Sequence, residues 1–321
     1  MRILVWIGTL ALCFVAGGAS CVRRDAALPF PPPPVVFQNT PSIEELAAVV
    51  NRTDAIRELS SNSASVDVTT MNVPRLRATL NVRRDRDFRM RASLPVVMGA
   101  GIDLGSNNEL FWFEVPEGMS KKLYYARHDQ YQQNLNHAIL PVDPTWIIDA
   151  LGLVHIDPST VVAGPVQRPD GKLEVRSTIQ TAAGMYQRVC FIEPSAGYVT
   201  NQFLYDPSGK EIATSIASNH EYHADVQCAL PHTVQLKLMP SIGPPLGMKI
   251  EIGSYALNQL LSGDPQLFSM PQTASEAVDL NTLGGAALGG AVVPVGYHSP
   301  AIGYAANRIA PIPMRGATRS P

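Results

Sequence analysis

The residue types able to do chemistry are few and scattered in this chain. The densest run of metal-ligating types is His220-Glu221-Tyr222-His223-Ala224-Asp225. In a strand His223 and Asp225 share a face while His220 points the other way. The run therefore reads as exposed strand polarity, with a metal site as the weaker alternative. Arg127-His128-Asp129 sets a base beside a carboxylate, but no nucleophile stands in view of it. No GxSxG, HExxH, CxxC or P-loop pattern occurs. The sequence accordingly predicts no enzyme, with no catalytic residue, no metal ligand and no cofactor. The chemistry it does offer is covalent modification of Cys21, which follows a run of small residues, Gly17 to Ser20.

The segment before Cys21 sets the context. Arg2 is a minimal basic start, and Ile3 to Ala16 is an apolar run that ends abruptly at Gly17 and is followed by Arg23 and Arg24. This is the layout of a signal peptide over 1–20, too short for a spanning helix. Gly18-Ala19-Ser20-Cys21 resembles the bacterial lipobox, departing from it at Gly18 where leucine is preferred. The expectation is an exported chain anchored to membrane by lipid on Cys21. Val22 in place of Asp after it points to the outer membrane, facing the periplasm. The alternative is ordinary cleavage near Ala19 and a soluble exported protein; both readings require export.

Composition narrows the classes further. The 321 residues suffice for one large domain, and the formal charge of -2 gives no global attraction to nucleic acid. Charged residues make up only 16%, against roughly 25% in average domains. In an exported chain Cys190 and Cys228 are free to form a disulfide; two unpaired buried thiols are the equal alternative.

The elements that must position these groups read as follows. Residues 21–41 form a tether stiffened by Pro29 and Pro31 to Pro34. Ser42 and Glu45 make a capping-box pattern, and apolar residues recur at helical spacing from Ile43 through Leu59, where Ser60 to Ser63 break the helix. Period-two alternation follows in Val66-Val68, in Leu76-Ala78-Leu80-Val82 and in Phe88-Met90-Ala92-Leu94. This describes an antiparallel meander with one wet face, on which Arg75, Arg77, Arg89 and Arg91 share the solvent side. Leu110 to Val115 is apolar on both faces and must be covered on both. A helix follows from Asp143-Pro144 through Trp146, Ile147, Ala150 and Leu151 to Gly152. Seven more strands follow between about 159 and 255, giving a large curved antiparallel sheet over a domain spanning 42–261. Residues 262–321, rich in Gly and Pro, read as a disordered tail.

A signal, an amphipathic helix, a meander containing Phe88-Arg89-Met90, the aromatic strand Leu110-Phe111-Trp112-Phe113, a helical insertion and then more strands: this order resembles the LolA/LolB-like lipoprotein-carrier superfamily over residues 42 to 255. The resemblance implies a mainly β fold with helices, an incomplete antiparallel β-barrel (a half-barrel) covered by the N-terminal helix and a helical lid. It implies a concave face that holds acyl chains. Leu76, Leu80, Phe88, Met90, Leu94, Phe111, Phe113 and Trp146 are then the candidate lining. The expected function is a membrane-anchored envelope lipoprotein binding an acyl chain, a lipoprotein or another apolar ligand. The alternative is a structural or protein-interaction lipoprotein of the envelope with no ligand cavity and an unidentified envelope partner.

Overall fold

The computed structural model describes residues 30–70, 74–84, 86–94, 101–117, 120–133, 146–181, 183–240, 245–272 and 276–281. Cys21, the signal segment, Asp143-Pro144 and most of the Gly/Pro-rich tail lie outside them. The helices are α1 (Ile43–Val50), α2 (His128–Gln133) and α3 (Trp146–Ala150). The N-terminal strands are β1 (Glu58–Val68), β2 (Leu76–Arg83), β3 (Asp87–Ser93), β4 (Gly101–Ser106), β5 (Leu110–Glu117) and β6 (Ser120–Arg127). After α3 come β7 (Val161–Gln167), β8 (Leu173–Thr181), β9 (Gly184–Ile192), β10 (Val199–Tyr205), β11 (Glu211–His223), β12 (Cys228–Leu238) and β13 (Leu246–Ile252). Two short strands, β14 (Ala256–Leu257) and β15 (Glu276–Asp279), complete the set.

The strands form one open sheet in the order β15-β6-β5-β4-β3-β2-β1-β13-β12-β11-β10-β9-β8-β7, with β14 beside β1. It is two meanders joined where β1 pairs antiparallel with β13, Val66 opposite Ile250. The sheet stays unclosed, as the half-barrel reading expects, but it is mixed, because β15 pairs with β6 in parallel.

Alternation divides the sheet into an inner and an outer face. Leu76, Leu80, Phe88, Met90 and Phe111 join Val234, Leu236 and Ile250 in one inner cluster. A second cluster, beneath α1, joins Leu46, Ala47 and Val50 to Leu173, Val175, Cys190 and Ile192. The capping box holds α1 in place: Glu45 N–H donates to Ser42 Oγ at 3.2 Å and Ser42 N–H to Glu45 Oε2 at 2.8 Å.

Three expectations need correction. The first helix does not run to Leu59. It ends at Val50, a tighter turn follows over Asn51–Ala55, and Glu58 opens β1. Ser60 and Ser61, read as helix breakers, are buried strand residues, and Ser60 Oγ donates to the Gln259 carbonyl at 2.9 Å. Secondly, the apolar pattern fades near Ser262, but the fold continues. Residues 256–257 pair with β1 as β14, residues 264–269 lie on the outer face against Arg83, Arg89, Arg91 and Asn107, and β15 extends the sheet beyond β6. Thirdly, Arg89 does not share the solvent face. It is 4% exposed, paired with Asp103 (Nη2–Oδ2 2.6 Å), and Nη1 donates to the carbonyls of Leu267 and Ser269 at 2.9 and 3.1 Å. Arg75, by contrast, is exposed and paired with Asp67 and Glu251.

Of the two equal readings of Cys190 and Cys228, the structure has the unpaired one: both are free, buried thiols. Cys190 lies level with Gln202 on β10, which lies level with Ser215 on β11 and then Leu236 on β12. Three strand spacings, about 14 Å along the sheet, plus eight residues of β12 between Leu236 and Cys228 exceed the reach of a disulfide.

The two-sided strand β5 is covered as expected. Phe111 faces inward and Trp112 outward, each 1% exposed. Gly105 makes the outer packing work, since a Cβ there would stand 2.0 Å from the Trp112 ring. The indole therefore lies flat on β4, with the Arg89 guanidinium 5.6 Å from its centre. Arg89→Ala would leave the part-buried Asp103 with Arg91, 3.5 Å away, as its remaining cation, and would take the donor from the Leu267 and Ser269 carbonyls. The expected result is a loss of about 3 kcal/mol in chemical denaturation, together with proteolytic cleavage within 264–270 under conditions where the parent chain resists.

Candidate functional site

The inner face is built from the even positions of β2 and β3 and their partners. Met90 pairs with Leu104, Leu104 with Phe113, Phe113 with Tyr124, and Tyr124 with Val278. All five side chains therefore point to one side of five neighbouring strands. The Phe113 and Tyr124 rings stack with centroids 4.9 Å apart. Of the eight candidate lining residues, Leu76, Leu80, Phe88, Met90, Phe111 and Trp146 are buried in the inner cluster, whereas Leu94 and Phe113 are partly exposed at its margin. Ile102, Leu104 and Val278 share that margin, and so does Ile147 of α3. Sequence reasoning missed these four. Ile102 and Leu104 do alternate around Asp103, but over too short a run to stand out, and Val278 lay in the expected tail.

The segment after Trp146 seals the deeper part of the face as a plug. Trp146, Ile148, Ala150, Leu151 and Leu153 are buried in the inner cluster, and Val154 and Ile156 continue into the cluster beneath α1. Gly152 ends α3 with φ +95°, a conformation that suits glycine, and a Cβ there would stand 2.7 Å from Pro231 Cδ. Polar bonds anchor the C-terminal part of the plug. Arg188 Nη1 donates to Asp149 Oδ2 at 3.1 Å and Nη2 to the His155 carbonyl at 2.9 Å. Gln202 Nε2 donates to the Asp149 carbonyl at 3.1 Å, and Thr53 Oγ1 to the Val154 carbonyl at 3.0 Å.

The groups singled out for chemistry are placed elsewhere. His220 stacks on Tyr198 (4.0 Å), His223 meets Tyr255 edge-on, and Asp225 is exposed beyond the end of β11. Glu221 instead accepts from His232 Nε2 at 2.8 Å. Among the described residues no group of three or more His, Cys, Asp and Glu side chains is placed to hold a metal ion. His128 Nε2 lies 2.9 Å from the Asn107 carbonyl and 3.2 Å from Ser106 Oγ. A carbonyl only accepts, so Nε2 carries the proton and is no base for that hydroxyl; Ser106 and His128 are also 0% and 3% exposed. Burial pushes the Cys190 thiol up and the Cys228 thiol up to about 12, so both remain protonated. A cavity of about 20 Å³ lined in part by His220, Gln227 and Cys228 has room for one water.

No family model matches the chain, and no curated protein matches it. Solved structures do. A domain from Vibrio parahaemolyticus, described as a candidate outer membrane lipoprotein-sorting domain, is similar over 68% of this chain and 94% of its own, at 10% identity and TM-score 0.45. A LolA superfamily protein from Nitrosomonas europaea is similar over 70% and 96%, at 11% identity and TM-score 0.40. A DUF1329 family protein from Desulfovibrio piger is similar over 68% and 92%, at 10% identity and TM-score 0.42. No described helix is long and apolar enough to cross a membrane.

Two outcomes check this account. Burial lowers His220 from the ordinary 6.5 to about 4, so between these values the unfolded chain binds a proton that the native one refuses. Stability is then full above pH 6.5 and falls by on the order of 2–3 kcal/mol as pH drops toward 4. Denaturant titrations of His220→Gln should show a flatter slope across that window. Thiol alkylation should label neither Cys190 nor Cys228 in the native protein and both in denaturant without reductant.

Proposed function

We propose that this protein is an envelope lipoprotein, anchored through Cys21, that binds an acyl chain or comparable apolar ligand on the concave face of its open sheet. The observation that carries this reading is the gradient of burial along that face. Leu80, Phe88 and Phe111 are at most 1% exposed, yet on the same side of the sheet Leu94, Ile102, Leu104 and Phe113 remain half-buried. An apolar shelf left partly open to water beside a packed floor gains about 0.8 kcal/mol for each methylene laid on it.

The plug supports the same reading. Its C-terminal part is fixed by Arg188 and Gln202, whereas Trp146 and Ile147, at its other end, meet the inner cluster by apolar contact. Apolar contacts are non-directional and adjust to an added chain more readily than charged hydrogen bonds do. The signal, the lipobox-like Gly18 to Cys21 and the proline spacer are the basis for placing the domain off a membrane surface in the envelope, with the outer membrane as the expected site.

Native mass spectrometry of protein extracted from membranes should show bound lipid, and the delipidated protein should bind a pyrene-labelled acyl probe saturably. Leu104→Asp should weaken that probe about tenfold or more, measured on protein that circular dichroism shows to be folded, because the position is only partly exposed and some loss of melting temperature is expected. Absence of both lipid and saturable binding would sink the reading. Mass spectrometry of the mature N-terminus tests the anchor separately, and an unmodified Cys21 would leave an exported soluble protein.

A further inference from the structure

The half-buried apolar strip ends at β15, and the chain runs on from there. Val278 lies level with Tyr124, Tyr124 with Phe113, and Phe113 with Leu104. Leu280 follows on the same side of β15; it is 7% exposed, belongs to the inner cluster, and its N–H donates to the Tyr125 carbonyl at 2.8 Å. Asn281 Nδ2 then donates to Gln130 Oε1 of α2 at 3.2 Å. The next residue of that helix, Tyr131, is buried in the inner cluster with its ring edge-on to the inward-facing Phe111 at 4.8 Å. The chain therefore passes Asn281 on the concave side of the sheet edge, not on the outer side where residues 264–269 lie.

The sequence beyond that point suits an apolar surface. From Leu280 through Asn307 there is no Asp, Glu, Lys or Arg, whereas average domains carry about one in four residues. Leu283, Leu288, Val292, Val293 and Val295 supply apolar side chains, and Gly284-Gly285 comes soon after Asn281. A glycine pair lets the backbone reverse at no steric cost. Leu104 is three strand spacings from Val278, about 14 Å, and six extended residues span about 20 Å. A segment tied so close to its target acts at an effective concentration of about 1 mM. A contact with a dissociation constant of only about 0.1 mM would then cover the strip roughly nine-tenths of the time. A second copy of the chain at micromolar concentration would be about a thousandfold more dilute.

We infer that residues 283–297 of this chain lie on the apolar strip at Leu104 and Phe113 when no ligand is bound, as an intramolecular competitor that the ligand displaces. This rests on the strip being the ligand surface, as proposed above. The apparent affinity for ligand is then lowered by the fraction of time the strip is free. Anything that draws the segment away raises that affinity without altering a residue of the sheet.

The test uses the delipidated full chain and a pyrene-labelled hexadecanoic acid. Leu288→Asp together with Val293→Asp sets two carboxylates in the uncharged segment and alters no described residue. Carboxylates resist transfer to an apolar surface, so the variant should bind the probe about tenfold more tightly than the wild type, as release of a strip covered nine-tenths of the time requires. Binding by the variant alone would support the inference as well. Saturable binding to both proteins with unchanged or weaker affinity in the variant would overturn it and leave the ligand surface standing. Saturable binding to neither would remove the ligand surface and the inference with it. Should the variant not fold, a photo-reactive benzoylphenylalanine in place of Phe113, in a chain otherwise wild type, decides. Crosslinks to a peptide from 283–297 of the same chain, suppressed by the probe, support the inference. Crosslinks to a second copy, or none to that segment, overturn it.

Discussion

The antiparallel pairing of β1 with β13 is the constraint on which the rest of the molecule depends. Ala64 opposite Ile252, Val66 opposite Ile250 and Val68 opposite Met248 bring strands nearly the whole domain apart into one ladder. Without it the chain would be two meanders, each with an apolar side and too little to cover it. With it, the inner sides of both become one surface, and α1 and the plug each find a floor to lie on. Because side chains alternate with a period of two, a slip of one residue would set Val66 level with Lys249 or Glu251 and turn the apolar set of one of the two strands toward water. The register is therefore held by the whole inner cluster rather than by any one contact.

Charge works on the opposite face. A chain with so few charged residues places its arginines beside carboxylates: Arg75 with Asp67 and Glu251, Arg83 with Glu58. Exposed pairs of this sort stabilise little. Arg89 and Asp103 are another matter, because the cation is buried under the segment whose carbonyls it binds. There the ion pair and the backbone oxygens must be present together for the desolvated charge to be tolerated. Apolar packing thus covers the inner face, while one buried cation fastens the chain across the outer one.

These two covers differ in a way that bears on function. The outer segment is tied at several points, by Arg89, by Asn107 donating to the Phe268 carbonyl, and by Ser60 bonding to Gln259. The plug on the inner face is tied mainly around and beyond Asp149. The buried histidines and thiols, which in another setting would suggest chemistry, are engaged in stacking, in hydrogen bonds or in apolar packing. On the inner face a strip of apolar surface at Leu94, Ile102, Leu104 and Phe113 stays partly open.

The sequence by itself determined the local pieces. The capping box at Ser42, the period-two runs of β2 and β3, the two-sided β5 and the glycine that ends α3 were all legible, because each depends on residues a few positions apart. Other features were decided only by the tertiary structure, because they depend on what lies opposite. Ile56 and Leu59 have helical spacing, yet β2 and the 256–261 segment draw that stretch into a strand. Arg89 alternates with apolar neighbours like any surface residue, and only the return of residues 266–269 buries it. Cys190 and Cys228 are compatible with a bridge in sequence, and two intervening strands keep them apart. Local pattern tells which way a side chain points; which segment arrives to cover it is set by long-range pairing, and no spacing along the chain encodes that distance.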